Sequence, residues 1–176
     1  ASVLINPKIL ILGAGEMGDD IAKNLLDTSL DHVTIANRTV EKAEAFAGTM
    51  LRTFNQANLS VMLSLGHRIK LFDKMAEIGP ATYEQIAEEG GFNSRYIKEW
   101  LAAMVTGAIV DYDKDKKIYS LPAEHAAFLT TAAGPDNFAT LFQFIPVISS
   151  VEDALIECFK NGGGVPYEKF HRFHEV

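Results

Sequence analysis

The 176 residues suffice for one domain, or one domain plus a fragment, and for a sizeable core; 48% hydrophobic and 22% charged residues fit an ordinary soluble globular chain. A net charge of −7, with acidic residues outnumbering basic ones in each of the stretches 1–50, 51–124 and 125–176, argues against broad phosphate contacts and so against nucleic acid as a partner. No apolar run reaches the roughly 18 residues of a membrane span, Ala1–Ile5 is too short for a signal peptide, and the single Cys158 excludes an internal disulfide and points to the reducing cytoplasm.

Lys8-Ile-Leu-Ile-Leu12, between Pro7 and Gly13, has the length and unbroken apolarity of a strand buried on both faces, as in a parallel sheet. A helical pattern follows from about Met17 to Leu26, with Ile21, Ala22, Leu25 and Leu26 inward. Val33–Ala36 repeats the short strand, and strand, helix, strand is a β-α-β unit. Glu41–Met50 then reads as a helix, and the apolar spacing continues from Leu51 to Met75. Gly66 marks a kink or close packing instead of a stop, and Gly79-Pro80 ends the run.

Thr82 is placed to cap a short helix, Tyr83–Glu89, with Gln85 as its capping-box partner. Gly90-Gly91 turns the chain, and Asn93 or Ser94 caps a second helix from Arg95 to about Thr106, ended near Gly107. Ala108–Tyr112 and Lys117–Leu121 are strand-like, joined by the polar tip Asp113–Lys116. Helix, turn, helix and hairpin make a winged helix at about 80–122. Three more helices are expected: Ala123–Thr131, Asn137 to about Ile145, and Val151–Lys160. The predicted fold class is mainly α with a winged helix (α+β), preceded by a small N-terminal βαβ Rossmann-like fragment. The domains are placed at 1–43 and 44–176.

Gly13-Ala-Gly15-Glu-Met-Gly18 is a G-x-G-x-x-G between strand and helix. Gly13 permits the tight turn, Gly15 lets the backbone approach a pyrophosphate, and Gly18 lets the helix pack close to the strand. The amides at the helix start would hold the phosphates. At the end of the second strand an acidic residue would bind the ribose 2′-hydroxyl of NAD; here stand Asn37-Arg38-Thr39. No carboxylate repels a 2′-phosphate, and Arg38 offers planar donors for one, so NADP is favoured. S-adenosylmethionine suits this turn less well, because Ile11 stands where that site wants an acidic residue. The stretches 11–18 and 36–43 resemble the NADP domain of glutamyl-tRNA reductase and, more distantly, shikimate dehydrogenase. The resemblance implies Gly15 near the pyrophosphate and Arg38 near the 2′-phosphate. That family's cysteine nucleophile lies in a domain before the motif, and later strands cradle the nicotinamide. Neither is found in these 176 residues, so weak NADP binding without turnover is expected. The blander reading keeps the glycines as turn formers only.

The larger part carries Met62–Arg68, Leu71–Asp73, Tyr96–Leu101, Met104–Gly107, Ala123–Leu129, Ala133–Asn137 and Gly162–Tyr167. Together these stretches resemble the N-terminal winged-helix domain of bacterial S-adenosylmethionine-dependent methyltransferases. The resemblance implies a homodimer and a share in a substrate pocket. It places the methyl donor in a following domain, expected to begin about where the chain stops at Phe173-His-Glu-Val176. S-adenosylmethionine is therefore expected only with that domain supplied, and the chain alone is not expected to be an active enzyme. Val40–Phe46 fits both patterns and reads as a junction; a natural fusion, a truncation, an engineered chimera and an assembly error would look alike there.

A winged helix also invites a DNA-binding reading, with Asn93, Ser94, Arg95, Tyr96 and Lys98 at the start of the recognition helix and Lys114, Lys116 and Lys117 on the wing. The net acidity of the segment and Glu88-Glu89 favour a structural, dimer-forming role instead. His171 and His174 share one face of a terminal helix but lack a third ligand, so no metal site is assigned; the methyltransferase resemblance offers them instead as lining of a substrate pocket. Local hydrogen bonds are expected for His67 and His125, and a buried apolar setting for Cys158. No catalytic residue emerges from spacing. The reading is a dimerisation and substrate-pocket module with a partial NADP-binding unit and a small-molecule ligand. Three alternatives stay open: a methyltransferase completed by a missing part, a reductase fragment, and a winged-helix regulator of transcription.

Overall fold

The computed structural model describes the backbone of residues 9–12, 33–36 and 38–42, and backbone and side chains of residues 43–176. The chain divides into two compact units, Ala1–Asn55 and Gln56–Val176. In the first, β1 (Ile9–Leu12) and β2 (Val33–Ala36) run parallel, in the register Ile9↔Val33 to Leu12↔Ala36. Two continuous apolar runs of this kind suit a parallel pair. The helix expected over 17–26 lies outside the described residues.

The helix α1 (Arg38–Arg68) follows, and the second unit takes its part from Gln56 onward. There come α2 (Leu71–Ile78), α3 (Tyr83–Gly90) and α4 (Ser94–Thr106). The hairpin strands β3 (Asp111–Asp113) and β4 (Ile118–Ser120) precede α5 (Ala123–Leu129). A 3-10 stretch, Thr131–Asp136, leads to α6 (Phe138–Leu141), α7 (Phe144–Ser149) and α8 (Glu152–Asn161). The mainly α class with a winged helix is what the sequence predicts.

The apolar run expected to continue to Met75 is broken at Ile69-Lys70. The Lys70 amide turns back to the His67 carbonyl at 3.0 Å, and Lys70 adopts the left-handed conformation, φ 57°. The reversal lets Leu71, Phe72 and Met75 enter one core with Leu63, Ile86, Ile97, Trp100, Leu101 and Met104. Gly66 is a point of close approach: a Cβ there would stand 2.5 Å from Trp100 Cζ2 and 2.9 Å from Phe72 Cε2. Trp100 meets Phe72 edge-on at 5.2 Å, and its Nε1 donates to the Met62 carbonyl at 2.9 Å.

Local capping follows the sequence closely. Thr82 and Gln85 form both bonds of the capping box, and Gly91 supplies the left-handed cap of α3 at φ 69°. Asn93, not Ser94, caps α4, accepting from the Arg95 amide at 3.1 Å. The hairpin is shorter than expected, pairing Asp111↔Ser120, Tyr112↔Tyr119 and Asp113↔Ile118. Its tip is closed by the Asp113 carboxylate, which accepts from the Asp115 and Lys116 amides. An added bridge, Ala81↔Tyr119, ties the wing to the approach of α3.

Three expectations for the C-terminal part are corrected. The helix predicted from Asn137 to Ile145 is two short helices, α6 and α7, parted at Phe142-Gln143. His171 and His174 lie in turns after the 3-10 segment Tyr167–Lys169, so they do not share a helix face. Cys158 is half-buried, not buried, and its neighbours Ile156 and Phe159 on α8 are exposed. Among the described residues no single helix is long and apolar enough to cross a membrane.

Candidate functional site

Of the residues expected to hold a dinucleotide, Gly13, Gly15, Gly18 and Asn37 lie outside the described residues. Arg38 and Thr39 open α1, shortly after β2. The methyltransferase resemblance implies a share in a substrate pocket, and the second unit contains a polar pocket that no sequence motif marks.

It is built at the end of α1. The reversal at Lys70 leaves His67, Arg68 and Lys70 along one side of an open pocket of about 400 Å3. Thr131, Gln143, Arg172 and Glu175 line the rest. Arg172, itself left-handed at φ 65°, donates from Nη2 to Gln143 Oε1 at 3.0 Å and from Nε to Glu175 Oε2 at 2.9 Å. The bond to Oε1 turns the Gln143 amide nitrogen toward His67 Nδ1, 2.8 Å away. Likewise Asn137 Oδ1 accepts from the Ala139 amide at 3.0 Å, which leaves its Nδ2 facing His67 Nε2 at 2.9 Å. The Thr140 hydroxyl lies 3.3 Å from the same ring nitrogen and can accept a proton from it.

This geometry decides the charge of His67. A neutral imidazole accepts at one nitrogen, so one amide contact is a full hydrogen bond; an imidazolium accepts at neither. Burial of the ring also holds its pKa below the ordinary 6.5, against the opposing pull of the Asp73 carboxylate. His67 is therefore a neutral ring tying three segments together. Local bonding was the expectation for His67 and His125, and the structure differs for both. His67 reaches Asn137, Thr140 and Gln143, and His125 Nδ1 donates to the Ile109 carbonyl at 2.8 Å. No short-range periodicity signals such partners.

Asp73 stands next to this network. Its Oδ1 accepts from the Thr131 amide at 2.8 Å and hydroxyl at 2.5 Å, while its Oδ2 is buried without a partner. On the winged helix, Arg95 and Tyr96 are exposed, but Lys98 lies over the Tyr83 ring at 5.4 Å and Lys116 pairs with Asp113 at 3.4 Å. Elsewhere α6–α8 leave large apolar side chains in solvent: Phe138 is 54% exposed, Leu141 55%, Ile148 51% and Phe159 92%. Among the described residues no group of three or more His, Cys, Asp or Glu is arranged to hold a metal ion.

Comparison with known proteins finds two different family models along the chain, whose matches overlap at residues 57–73. Residues 57–131 match the family model described as Rv2258c-like winged HTH domain. Residues 2–73 match that described as Shikimate / quinate 5-dehydrogenase. Glutamyl-tRNA reductase of Haloquadratum walsbyi is 51% identical over 43 residues, covering 24% of this chain and 10% of that protein. The enzyme of that name from Saccharolobus islandicus is 58% identical over 40 residues, 23% of this chain and 9% of that protein. The chain thus spans about a tenth of the length of these curated relatives. Among solved structures, the Mitomycin 7-O-methyltransferase MmcR superposes with a TM-score of 0.58 at 19% identity, over 78% of this chain and 39% of that one. Human N-acetylserotonin methyltransferase in complex with SAM gives 0.58 and 19%, over 70% and 37%. PigF with SAH gives 0.53 and 24%, over 66% and 33%. At these identities the likeness is one of fold. A winged helix with a methyltransferase-like fold, preceded by a segment like those of shikimate dehydrogenase and glutamyl-tRNA reductase, is what the sequence motifs predict.

Proposed function

We propose that the winged-helix part is a dimer-forming, substrate-pocket module of a methyltransferase-like protein, with a boundary near residues 43–44 and no catalysis of its own. The observation that carries dimerisation is the apolar surface left exposed on α6–α8, where Leu141 and Ile148 are about half exposed and Phe159 almost wholly so. Light scattering at micromolar concentration should give about twice the 19.3 kDa of one chain. Replacing Ile148 and Phe159 by Glu should return it to one. A wild-type protein that stays at 19.3 kDa refutes the module as a dimer. The single cysteine supports a reducing, cytoplasmic setting.

The N-terminal segment is, on this proposal, a partial NADP-binding unit in which Gly13, Gly15 and Gly18 shape the phosphate turn and Asn37, Arg38 and Thr39 face the 2′-phosphate. The likeness of residues 2–73 to a dehydrogenase family supports it. Calorimetric titration should show NADP preferred over NAD, with the preference lost in Arg38→Ala; equal affinities, or none, leave the glycines as turn formers. S-adenosylmethionine should not bind these 176 residues tightly, because its site belongs to a further domain on this reading. Tight binding would overturn it.

A further inference from the structure

We propose that the pocket at the end of α1 binds a small oxyanion, the phosphate or carboxylate group of a soluble metabolite. This goes beyond the methyltransferase-like reading and does not depend on it. Three cationic side chains, Arg68, Lys70 and Arg172, line the pocket against one carboxylate, Glu175. Counting Asp73, which acts on His67 electrostatically, the balance is still positive, in a chain whose net charge is −7. Such a local reversal of sign concentrates small anions.

The cations differ in a way that suits binding. Arg172 is held in place by Gln143 and Glu175, so its remaining guanidinium donors are preorganised. Among the described residues neither Arg68 nor Lys70 takes part in an ion pair, so both can swing onto a ligand. Lys70 and Arg172 also occupy left-handed backbone, at φ 57° and 65°, where Gly or Asn would be less strained. That strain puts two cations at the rim of one pocket. The volume, about 400 Å3, is in the range of small-molecule sites, and the lining is polar, as a charged ligand requires. The neutral His67 and the buried Gln143 form a floor that neither repels nor neutralises the anion.

The test titrates the whole chain with inorganic phosphate and, separately, acetate, at constant ionic strength made up with chloride. Saturable binding of at least one probe is expected, and the better probe tells a phosphate ligand from a carboxylate one. Arg68→Gln with Lys70→Asn, the latter chosen because Asn tolerates the left-handed backbone, should weaken binding about tenfold. Lys114→Gln with Lys117→Asn removes the same charge from the hairpin, again with one left-handed position, and should leave binding unchanged. In NMR spectra the bound anion should move the His67 imidazole resonances and raise its pKa. Failure of both probes to saturate, equal losses in the two double variants, or an unmoved His67 would each overturn the assignment.

Discussion

Gly66→Ala puts the packing of α1 on α4 to the test. Alanine is the better helix former, and in a helix with room beside it the change would stabilise by at most about 1 kcal/mol. Here the new methyl would lie 2.5 Å from Trp100 Cζ2, 2.9 Å from Phe72 Cε2 and 3.0 Å from Trp100 Cε2. The closest of these is roughly 1 Å short of ordinary carbon contact. Neither ring can simply retreat. Phe72 is fully buried, and Trp100 is tethered through Nε1 to the Met62 carbonyl at 2.9 Å. Overpacking of this kind costs about 1–3 kcal/mol, so after the helix gain a net loss of about 1–2 kcal/mol is expected. Urea unfolding followed by fluorescence of Trp100, the sole tryptophan, measures it directly. The loss should shrink in a Trp100→Phe background, where both indole atoms are gone and unfolding is followed by far-ultraviolet circular dichroism instead. Unchanged or increased stability in Gly66→Ala would refute the close approach.

Three further outcomes follow from the polar network and the caps. His67 should titrate below 6.5 by imidazole NMR. Because its folded pKa is depressed, the unfolded chain binds the extra proton first. Stability should therefore be independent of this group above pH 6.5 and fall as the pH drops from there through the folded pKa; a His67 titrating above 6.5 contradicts this. Asp73→Asn keeps the shape but removes the carboxylate that raises the His67 pKa, so His67 should titrate lower still in that variant; an upward shift would reject the electrostatic link. Thr82→Ala should destabilise by about 0.5–1 kcal/mol, the low end for a lost N-cap, since the Gln85 amide reaches Thr82 Oγ1 at a long 3.4 Å. Thr82→Ser should recover most of it, and a wild-type-like Thr82→Ala unfolding curve would show the cap to be idle.

The sequence by itself determined what depends on neighbours a few residues away. Two continuous apolar runs set the parallel strands, since a strand covered on both faces has no polar side to show. Thr82 and Gln85 set the start of α3, because a capping box closes over three residues, and Gly91 set its end through the left-handed turn. The glycine turn at 13–18 was equally plain as a motif, although its residues lie outside the described structure. Close approach at Gly66 was one of two sequence readings, and only Trp100 and Phe72, brought from other helices, chose between them. Tertiary structure alone decided the break at Lys70. A helix with good apolar spacing on both sides gives way there because Leu71, Phe72 and Met75 gain more by turning into the shared core than by extending α1. The same holds for the pocket. His67, Asn137, Gln143 and Arg172 meet across long sequence separations, and no periodicity carries information over such distances. Buried polar groups must find partners wherever the packed helices bring them, so the site becomes visible only when the chain is folded.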